Sequence, residues 1–457
     1  MPRGFESHAL RAHDHGSRQE RHRVNQDLRH SSRRAAKTSS VARHGRLKAH
    51  SAWKTVAKVA ASVVAVTLIS GSAVAAYAAW DLASTVKPTV TLESEKVLEG
   101  VPDVGAMEGG VNLLLIGSDS RAGQGDGFGD PDEETAVLND VTILMHISQD
   151  HTNASVVSFP RDMLVDVPAC QDPNDPSSTL DELYGVKINS VLSHGGMNCV
   201  VETVQSLTGV TIPFAGIVQF MGVAGLSEAV GGVDVCVAEP IEDEYTGTFL
   251  DAGNHTLSGV AALQFLRTRH GVGDGSDLGR ISNQQVFMSS LARKLQADGT
   301  LSDPVKLYSI AKAALANMQL SSSLADPTRM ISIAKALKDT DLGSIAFIQY
   351  PTAYSEGYSA VVPTDSAEMV NLALQEDRPV TFNYDNESSS FASAGDPNAA
   401  PPAEVPAEEV PAEEAPAEGV PADPAAPAPT VEALPSDVSG QTAAETRCSA
   451  GRSLDDQ

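Results

Sequence analysis

The chain has 457 residues, of which 32 are Lys or Arg and 59 are Asp or Glu, so its formal net charge is −27. This length exceeds one average domain and suggests a large domain with appendages. Residues 1–58 carry 14 Lys/Arg against 4 Asp/Glu, so the remainder is strongly acidic. A nucleic-acid binder is excluded, because an acidic folded part repels phosphate backbones. Four cysteines exclude a disulfide-dense miniature scaffold.

A run of 21 uncharged residues, Val59–Ala79, spans about 31 Å as a helix, roughly one bilayer core. Lys54 and Lys58 precede it and Asp81 follows, so the N-terminus should stay in the cytoplasm and the rest outside. A cleaved signal peptide is the alternative, but the long charged lead favours an uncleaved anchor. The predicted segments are a basic disordered cytoplasmic part at 1–58, a transmembrane helix at 59–80 and a juxtamembrane linker at 81–109.

The other end, residues 386–457, is rich in Pro, Ala and Glu. Its prolines repeat every five residues at Pro406, Pro411, Pro416 and Pro421. Such a composition resists helix packing and is typical of an extended acidic tail, so we predict a disordered tail over the whole range. The folded domain is then expected at 110–385.

The body alternates apolar runs with amphipathic stretches, which predicts a mixed α/β (α+β) fold. The first three strands are expected at 111–116, 141–147 and 155–159. The segments between them are too short for crossover helices, so a largely antiparallel central sheet flanked by helices is predicted. Later elements are expected as helices at about 189–207, 219–230, 258–264, 279–297, 304–317, 323–338 and 366–376, and as strands at 232–237 and 344–350.

Antiparallel order brings the end of the first strand, the start of the second and the end of the third to one edge of the sheet. Asp119 and Arg121 follow the first strand, Asp140 opens the second, and Arg161 follows the third. Two carboxylates with open positions suit Mg²⁺ shared with substrate phosphates. The alternative is that each Asp caps a turn.

Further arginines follow at Arg267 and Arg269, which face one side if their stretch is extended. Arg280 and Gln284 share one helical face at i, i+4 spacing. Arginine's planar fork matches phosphate oxygens bidentately, so these residues are candidate phosphate ligands. Pairing with surface carboxylates is the alternative.

Outside the membrane the cysteines meet oxidising conditions. Cys170 and Cys199 flank a Pro/Asp-rich insertion and could form a disulfide. Cys236 and Cys448 have no obvious partners, and three pairings remain open if all four cysteines are paired.

Several blocks of the body resemble the LytR-CpsA-Psr family of membrane-anchored cell-wall glycopolymer transferases. The blocks follow family order over about 110–297 and are LLLIGSDSR (113–121), NDVTILMHI (139–147), VVSFPRDMLV (156–165), KINSVLSHGG (187–196), LSEAVGGVDVCV (226–237), LQFLRTRH (263–270) and DLGRISNQQ (277–285).

The resemblance implies a single extracellular domain that transfers a glycopolymer, with its linking phosphate, from a polyprenyl-pyrophosphate carrier to a peptidoglycan hydroxyl. Polyprenyl phosphate leaves. Asp119 and Asp140 would hold Mg²⁺. The catalytic residues would be Asp119, Arg121, Arg161, Arg269 and Arg280. The pyrophosphate would be bound by Arg121, Arg161, Arg267, Arg269, Arg280 and Gln284.

Two positions depart from the family pattern. Asn283 stands where an arginine is frequent, which removes one positive charge. Asn254 stands where related sequences often have a cysteine able to pair with one like Cys236, so Cys236 is left without an evident partner. Two alternative interpretations remain open: a non-catalytic wall-binding or regulatory protein, and a ligase that attaches glycan to a surface protein.

Overall fold

The computed structural model describes residues 52–101, 110–121, 137–175, 177–297, 299–300, 303–357, 359–383 and 432–457. Residues 1–51 of the predicted disordered segment and residues 386–431 of the predicted tail lie outside these ranges. Contacts divide the chain into two units, Met1–Ile69 and Ser70–Gln457.

Within the described residues the helices are α1 (Ala52–Thr85), α2 (Val191–Thr208), α3 (Phe220–Ala229), α4 (Val260–Arg267), α5 (Asp277–Ala297), α6 (Pro304–Asn317), α7 (Pro327–Asp339) and α8 (Ser366–Gln375). The strands are β1 (Val111–Ser118), β2 (Asn139–Ile147), β3 (Ala154–Phe159), β4 (Leu164–Val167), β5 (Cys170–Gln171), β6 (Thr179–Leu180), β7 (Leu183–Lys187), β8 (Phe214–Val218), β9 (Val233–Val237), β10 (Ile241–Asp243), β11 (Thr248–Leu250), β12 (Gly253–Leu257), β13 (Met318–Leu320), β14 (Ile345–Gln349), β15 (Thr352–Tyr354), β16 (Val361–Pro363), β17 (Val380–Thr381), β18 (Glu432–Ala433) and β19 (Gly440–Thr442). Every helix and strand predicted in the body overlaps one of these elements.

Local sequence explains two helix starts. Asp303 and Asp326 each precede a proline at the first helical position, where the missing N–H costs nothing. The Asp303 carboxylate accepts the N–H of Val305 at 2.8 Å, and Asp326 accepts that of Thr328 at 2.8 Å. Each carboxylate satisfies a backbone donor that the helix leaves open.

The central sheet has seven strands in the order β13-β8-β1-β2-β3-β14-β19. β1, β2 and β3 pair antiparallel, as predicted, while β8 and β14 join their flanks in parallel. Both faces of the sheet are buried, which explains why its strands read as continuous apolar runs. Leu114 and Leu144 face one hydrophobic core, and their neighbours Leu113 and Ile143 face the other.

Helix α1 is the one helix of the described residues that is long and apolar enough to cross a membrane. It contains the predicted span 59–80 but begins at Ala52, so residues 52–58, which were predicted to be disordered, are helical. The segment after it, predicted as a linker, packs on the domain: Leu92 and Leu98 are buried, and the Val90 N–H donates to the carbonyl of Leu320 at 3.1 Å. The folded body therefore starts well before residue 110.

Residues 432–457, which we call the return segment, also belong to the folded body. This corrects the prediction of a disordered tail through residue 457. β19 extends the central sheet beside β14, β18 pairs with β17, and Leu434 is buried. Composition does not indicate this fold because the proline repeat ends near Pro421 and only a short, weakly apolar stretch follows it.

Two disulfides join the described cysteines. Cys170 bonds to Cys199, as predicted, and Cys236 bonds to Cys448 in the return segment. The second bond corrects the expectation that Cys236 lacks a partner. Asn254 lies opposite Cys236 on the neighbouring strand, but the return segment supplies the second sulfur from 212 residues away.

Candidate functional site

A cavity of about 470 Å³ opens at the edge of the sheet where β1 and β3 end and β2 begins. One part is apolar and is lined by Leu115, Ile143, Val218, Phe220, Val223, Leu263, Leu266 and Met288. The other part is charged and is lined by Asp119, Asp140, Arg161, Asp243, Arg267, Arg269, His270, Arg280 and Gln284. The cavity is therefore shaped for an amphiphile with an anionic group.

The two carboxylates predicted at this edge face the same cavity. Asp119 Oδ1 accepts the N–H of Leu138 at 2.7 Å. Burial raises the pKa of the Asp119 carboxyl above its ordinary value, and the negative charge of Asp140 raises that pKa further. The hydrogen bond from Leu138 lowers the pKa and offsets part of this rise. Two carboxylates close enough to repel each other favour a cation between them.

We expect Asp119→Asn to raise the melting temperature of the cation-free protein by about 1–3 °C at pH 7. A carboxyl whose folded-state pKa is raised contributes stability below its unfolded pKa, and this contribution is lost as the pH rises through the folded-state pKa. The difference between wild type and variant should therefore vanish below about pH 4. Thermal melts from pH 3 to 8 in EDTA measure this difference, and a lower melting temperature for the variant at pH 7 would contradict the expectation.

Arg161 is held between carboxylates. Its Nη1 donates to Asp140 Oδ1 at 2.7 Å, and its Nε lies 3.5 Å from Asp162 Oδ2. Burial alone would lower the pKa of Arg161, but the charges of Asp140, Asp277 and Asp162 outweigh it and raise that pKa. The Arg161 backbone N–H also donates to Asp277 Oδ2 at 3.0 Å, which fixes the chain after β3.

Arg280 is almost fully buried, with 5% of its surface exposed. Its Nη2 lies 2.6 Å from Asp277 Oδ1, one helical turn earlier, and donates to the carbonyl of Asp140. Burial lowers the pKa of Arg280, although the neighbouring carboxylates oppose the shift. These bonds place the guanidinium against the start of β2, facing the cavity.

Arg267 and Arg269 both line the cavity, but not as one extended stretch. Arg267 is the last residue of α4 and lies over the ring of Phe220 at 4.3 Å, a cation–π contact. Thr268 is extended, and the Arg269 N–H then donates to Asp243 Oδ2 at 3.0 Å. The backbone therefore changes from helical at Arg267 to extended at Thr268, so the two arginines do not lie on one side of a single strand.

Two guanidinium groups that line this cavity keep an unpaired donor. Within the described residues, the buried Nε atoms of Arg269 and Arg280 have no hydrogen-bond partner, whereas that of Arg161 has only its ion pair with Asp162 at 3.5 Å. Leaving a buried charged donor unpaired is costly, so such atoms call for an anionic ligand. Together with the guanidinium of Arg161, these two groups favour a multiply charged anion.

Two buried carboxylates of the site were missed by sequence reasoning. Asp277 contacts both Arg161 and Arg280. Its position three residues before Arg280, a spacing that places two residues on one helical face, could have indicated the ion pair. Asp243 is fully buried and accepts from Thr268 Oγ1 at 2.6 Å and from the backbone of Arg269. Burial opposes ionisation of Asp243, but its hydrogen bonds outweigh burial and lower its pKa. Nothing in the local sequence marked that residue.

A model of the LytR_cpsA_psr family matches residues 74–376, more than half of the chain. The chain belongs to the LytR-CpsA-Psr family. The matched range contains all lining residues of the cavity and ends before the return segment.

Curated relatives are similar over part of this LytR-CpsA-Psr protein. Cell wall biosynthesis protein LcpA of Corynebacterium glutamicum is 27% identical over 308 residues, covering 61% of this chain and 57% of LcpA. The polyisoprenyl-teichoic acid–peptidoglycan teichoic acid transferase TagT of Bacillus subtilis is 25% identical over 246 residues, covering 52% of this chain and 69% of TagT. The chain spans about half the length of LcpA and of the probable cell wall biosynthesis protein LcpB.

Two solved structures are similar to parts of this chain at low identity. The LytR-Csp2A-Psr enzyme from Actinomyces oris is 22% identical with a TM-score of 0.43, covering 58% of this chain and 90% of that one. TagT bound to LI-WTA is 20% identical with a TM-score of 0.44, covering 63% and 98%.

The cavity of this LytR-CpsA-Psr domain gathers seven of the eight residues that the sequence placed in the site. The exception is Arg121, which is not among the lining residues, although its charge acts on Asp119. Gln284 lines the cavity but directs its Nε2 to the carbonyl of Leu266 at 3.0 Å. Asn283 does not line the cavity.

Proposed function

We propose that this protein is an extracytoplasmic phosphotransferase that moves a glycopolymer from a polyprenyl-pyrophosphate carrier to a peptidoglycan hydroxyl. The observation that supports this most is a group of three arginines, two of them with a buried, unpaired Nε, beside two carboxylates in a cavity whose other part is apolar. A pyrophosphate fits the charged part, and a polyprenyl chain fits the apolar part.

The reaction needs positioning and charge neutralisation more than covalent catalysis. An acceptor hydroxyl oxygen attacks the phosphorus next to the glycan, and a new P–O bond forms as the bond to the bridging oxygen breaks. Polyprenyl phosphate leaves, and the hydroxyl proton passes to a carboxylate or to water. Arg161, Arg269 and Arg280 would bind the phosphate oxygens and stabilise the charge that develops on the leaving group.

The proposal includes Mg²⁺, which would be held by Asp119 and Asp140. Burial and, to a lesser extent, the charge of Asp140 raise the pKa of Asp119, and a divalent cation between the two carboxylates would offset both effects. Among the described residues there is no cluster of three or more His, Cys, Asp or Glu, so phosphate and water would complete the coordination. When bound, the ion would neutralise phosphate charge.

The names of the relatives support the substrate classes. TagT is named for polyisoprenyl-linked teichoic acid as donor and peptidoglycan as acceptor, and LcpA for cell wall biosynthesis. We extend donor and acceptor of these classes to this chain. The basic flank of α1 supports a single-pass anchor with the N-terminus in the cytoplasm, and two disulfides fit an extracellular domain.

Mg²⁺ binding provides the test of the metal site. In phospholipid vesicles, millimolar Mg²⁺ should raise the melting temperature of the wild-type chain, because a ligand of the folded state stabilises it. Asp119→Asn should remove this rise and lower turnover of a geranylgeranyl-pyrophosphoryl sugar by about 100-fold or more. Asp365→Asn, at the start of α8 and outside the cavity, is the matched control. Equal stabilisation of all three proteins would refute the assignment.

The test also separates the alternatives. Lipid binding without any turnover by the wild type would favour a wall-binding or regulatory protein. Turnover that uses a surface protein and no peptidoglycan fragment as acceptor would favour the protein-glycan ligase.

A further inference from the structure

The return segment lies against the part of the domain that carries the arginines. The N–H of Gly273 donates to the carbonyl of Ala450 at 2.9 Å, and the N–H of Arg452 donates to the carbonyl of Gly271 at 2.8 Å. These bonds hold the turn that directly follows Arg269. The segment thus supports the rear of the site without lining its cavity.

Ser449 connects the return segment to α5. Its hydroxyl, 2% exposed as a residue, donates to Oδ1 of the equally buried Asn283. Because Oδ1 accepts this hydrogen bond, the amide nitrogen Nδ2 of Asn283 points away from Ser449. Asn283 Nδ2 donates to the carbonyl of Phe265 at 2.7 Å.

The carbonyl of Phe265 is one of the last four of α4, which lack partners within the helix. Asn283 satisfies it, and the neighbouring Gln284 satisfies that of Leu266 at 3.0 Å. Two side chains of α5 therefore cap the end of α4, the point from which Arg267 and Arg269 project.

The return segment is anchored firmly enough to act on α5. Cys448 is bonded to Cys236, and the Ser449 N–H donates to the Cys236 carbonyl at 2.8 Å. A Cβ on Gly451 would lie 1.8 Å from the Glu239 carbonyl oxygen, so the backbones approach too closely for any other residue.

We propose that Ser449 and Asn283 are positioning residues that fix the C-terminal end of α4, and with it Arg267 and Arg269, for phosphate binding. The proposal rests on the proposed function for its ligand. It assigns a role in the site to a segment beyond the range that the family model matches. Neither residue touches the cavity, so their effect must pass through the cap on α4.

The test uses the full chain in phospholipid vesicles, with geranylgeranyl pyrophosphate as the probe. Ser449→Ala removes the hydroxyl and should weaken probe binding about 5–10-fold, the effect of one lost hydrogen bond. It should also speed hydrogen exchange of the amides of residues 268–273. Ser449→Thr keeps the hydroxyl and should restore both properties. Ser453→Ala, whose hydroxyl bonds Asp456 within the segment, is the control and should change neither.

The outcomes separate this proposal from the proposed function. Normal probe binding and normal exchange in Ser449→Ala would overturn the positioning role alone. A lower melting temperature without weaker binding or faster exchange at 268–273 would also overturn it, because that result describes a merely structural bond. A wild-type chain that does not bind the probe would overturn the proposed function, while the exchange data still decide whether Ser449 holds the end of α4.

Discussion

A chain ending at residue 431 is expected to lose about 5 kcal/mol of unfolding free energy or more, and to fail to accumulate as a folded protein. The change removes β19 from the edge of the sheet. It also removes the buried Leu434, Val438 and Ala443 and so exposes the core residues that they cover. It also removes the Cys236–Cys448 bond, and a cross-link spanning 212 residues is alone worth about 5 kcal/mol in the chain-entropy account.

An internal deletion of residues 390–425 is the matched control. It removes the proline repeat but keeps β17 and β18, which lie side by side at the two ends of this connection. Chemical denaturation should give this variant an unfolding midpoint close to that of the full chain. Equal stability of the full chain and the chain ending at 431 would show that the return segment is not part of the fold.

Arg269→Ala is expected to reduce transferase turnover by about 10²–10³-fold while leaving the melting temperature nearly unchanged. Its buried Nε has no partner within the described residues, and the bond to Asp243 comes from the backbone, which alanine keeps. Removing it therefore breaks few protein contacts, whereas a phosphate group would lose a charged donor.

Arg329→Ala is the matched control for Arg269→Ala, because Arg329 lies on α7 and does not line the cavity. Initial rates with a geranylgeranyl-pyrophosphoryl sugar and thermal melts should be measured on both variants. Wild-type turnover by Arg269→Ala would contradict the assignment of the phosphate site. A large fall in its melting temperature would mean that the arginine is structural.

The edge of the sheet could be predicted from sequence because it depends only on strand order. Short connections force β1, β2 and β3 to pair antiparallel, so Asp119, Asp140 and Arg161 must meet wherever the rest of the chain goes. The i, i+4 spacing likewise placed Arg280 and Gln284 on one face of α5, and both reach the cavity.

Other features depend on contacts between distant segments, which composition does not encode. The extent of α4 decides whether Arg267 is helical, and that extent is set in part by caps from α5, 18 residues later. Asp243 belongs to a separate two-stranded sheet formed by β10 and β11. The return segment follows a long proline repeat, and its place in the fold rests on a disulfide and an edge strand that have no local signature.

The measurement that tests the central claim most directly is product analysis of the full chain in vesicles. A polyprenyl-pyrophosphate-linked sugar and a soluble peptidoglycan fragment are incubated with Mg²⁺, and the products are identified by mass spectrometry. The proposed function predicts polyprenyl phosphate and a sugar–phosphate–peptidoglycan diester in equal amounts, both lost in Arg269→Ala and retained in Arg329→Ala. Free sugar phosphate without the diester, or no consumption of the lipid by the folded wild type, would contradict it.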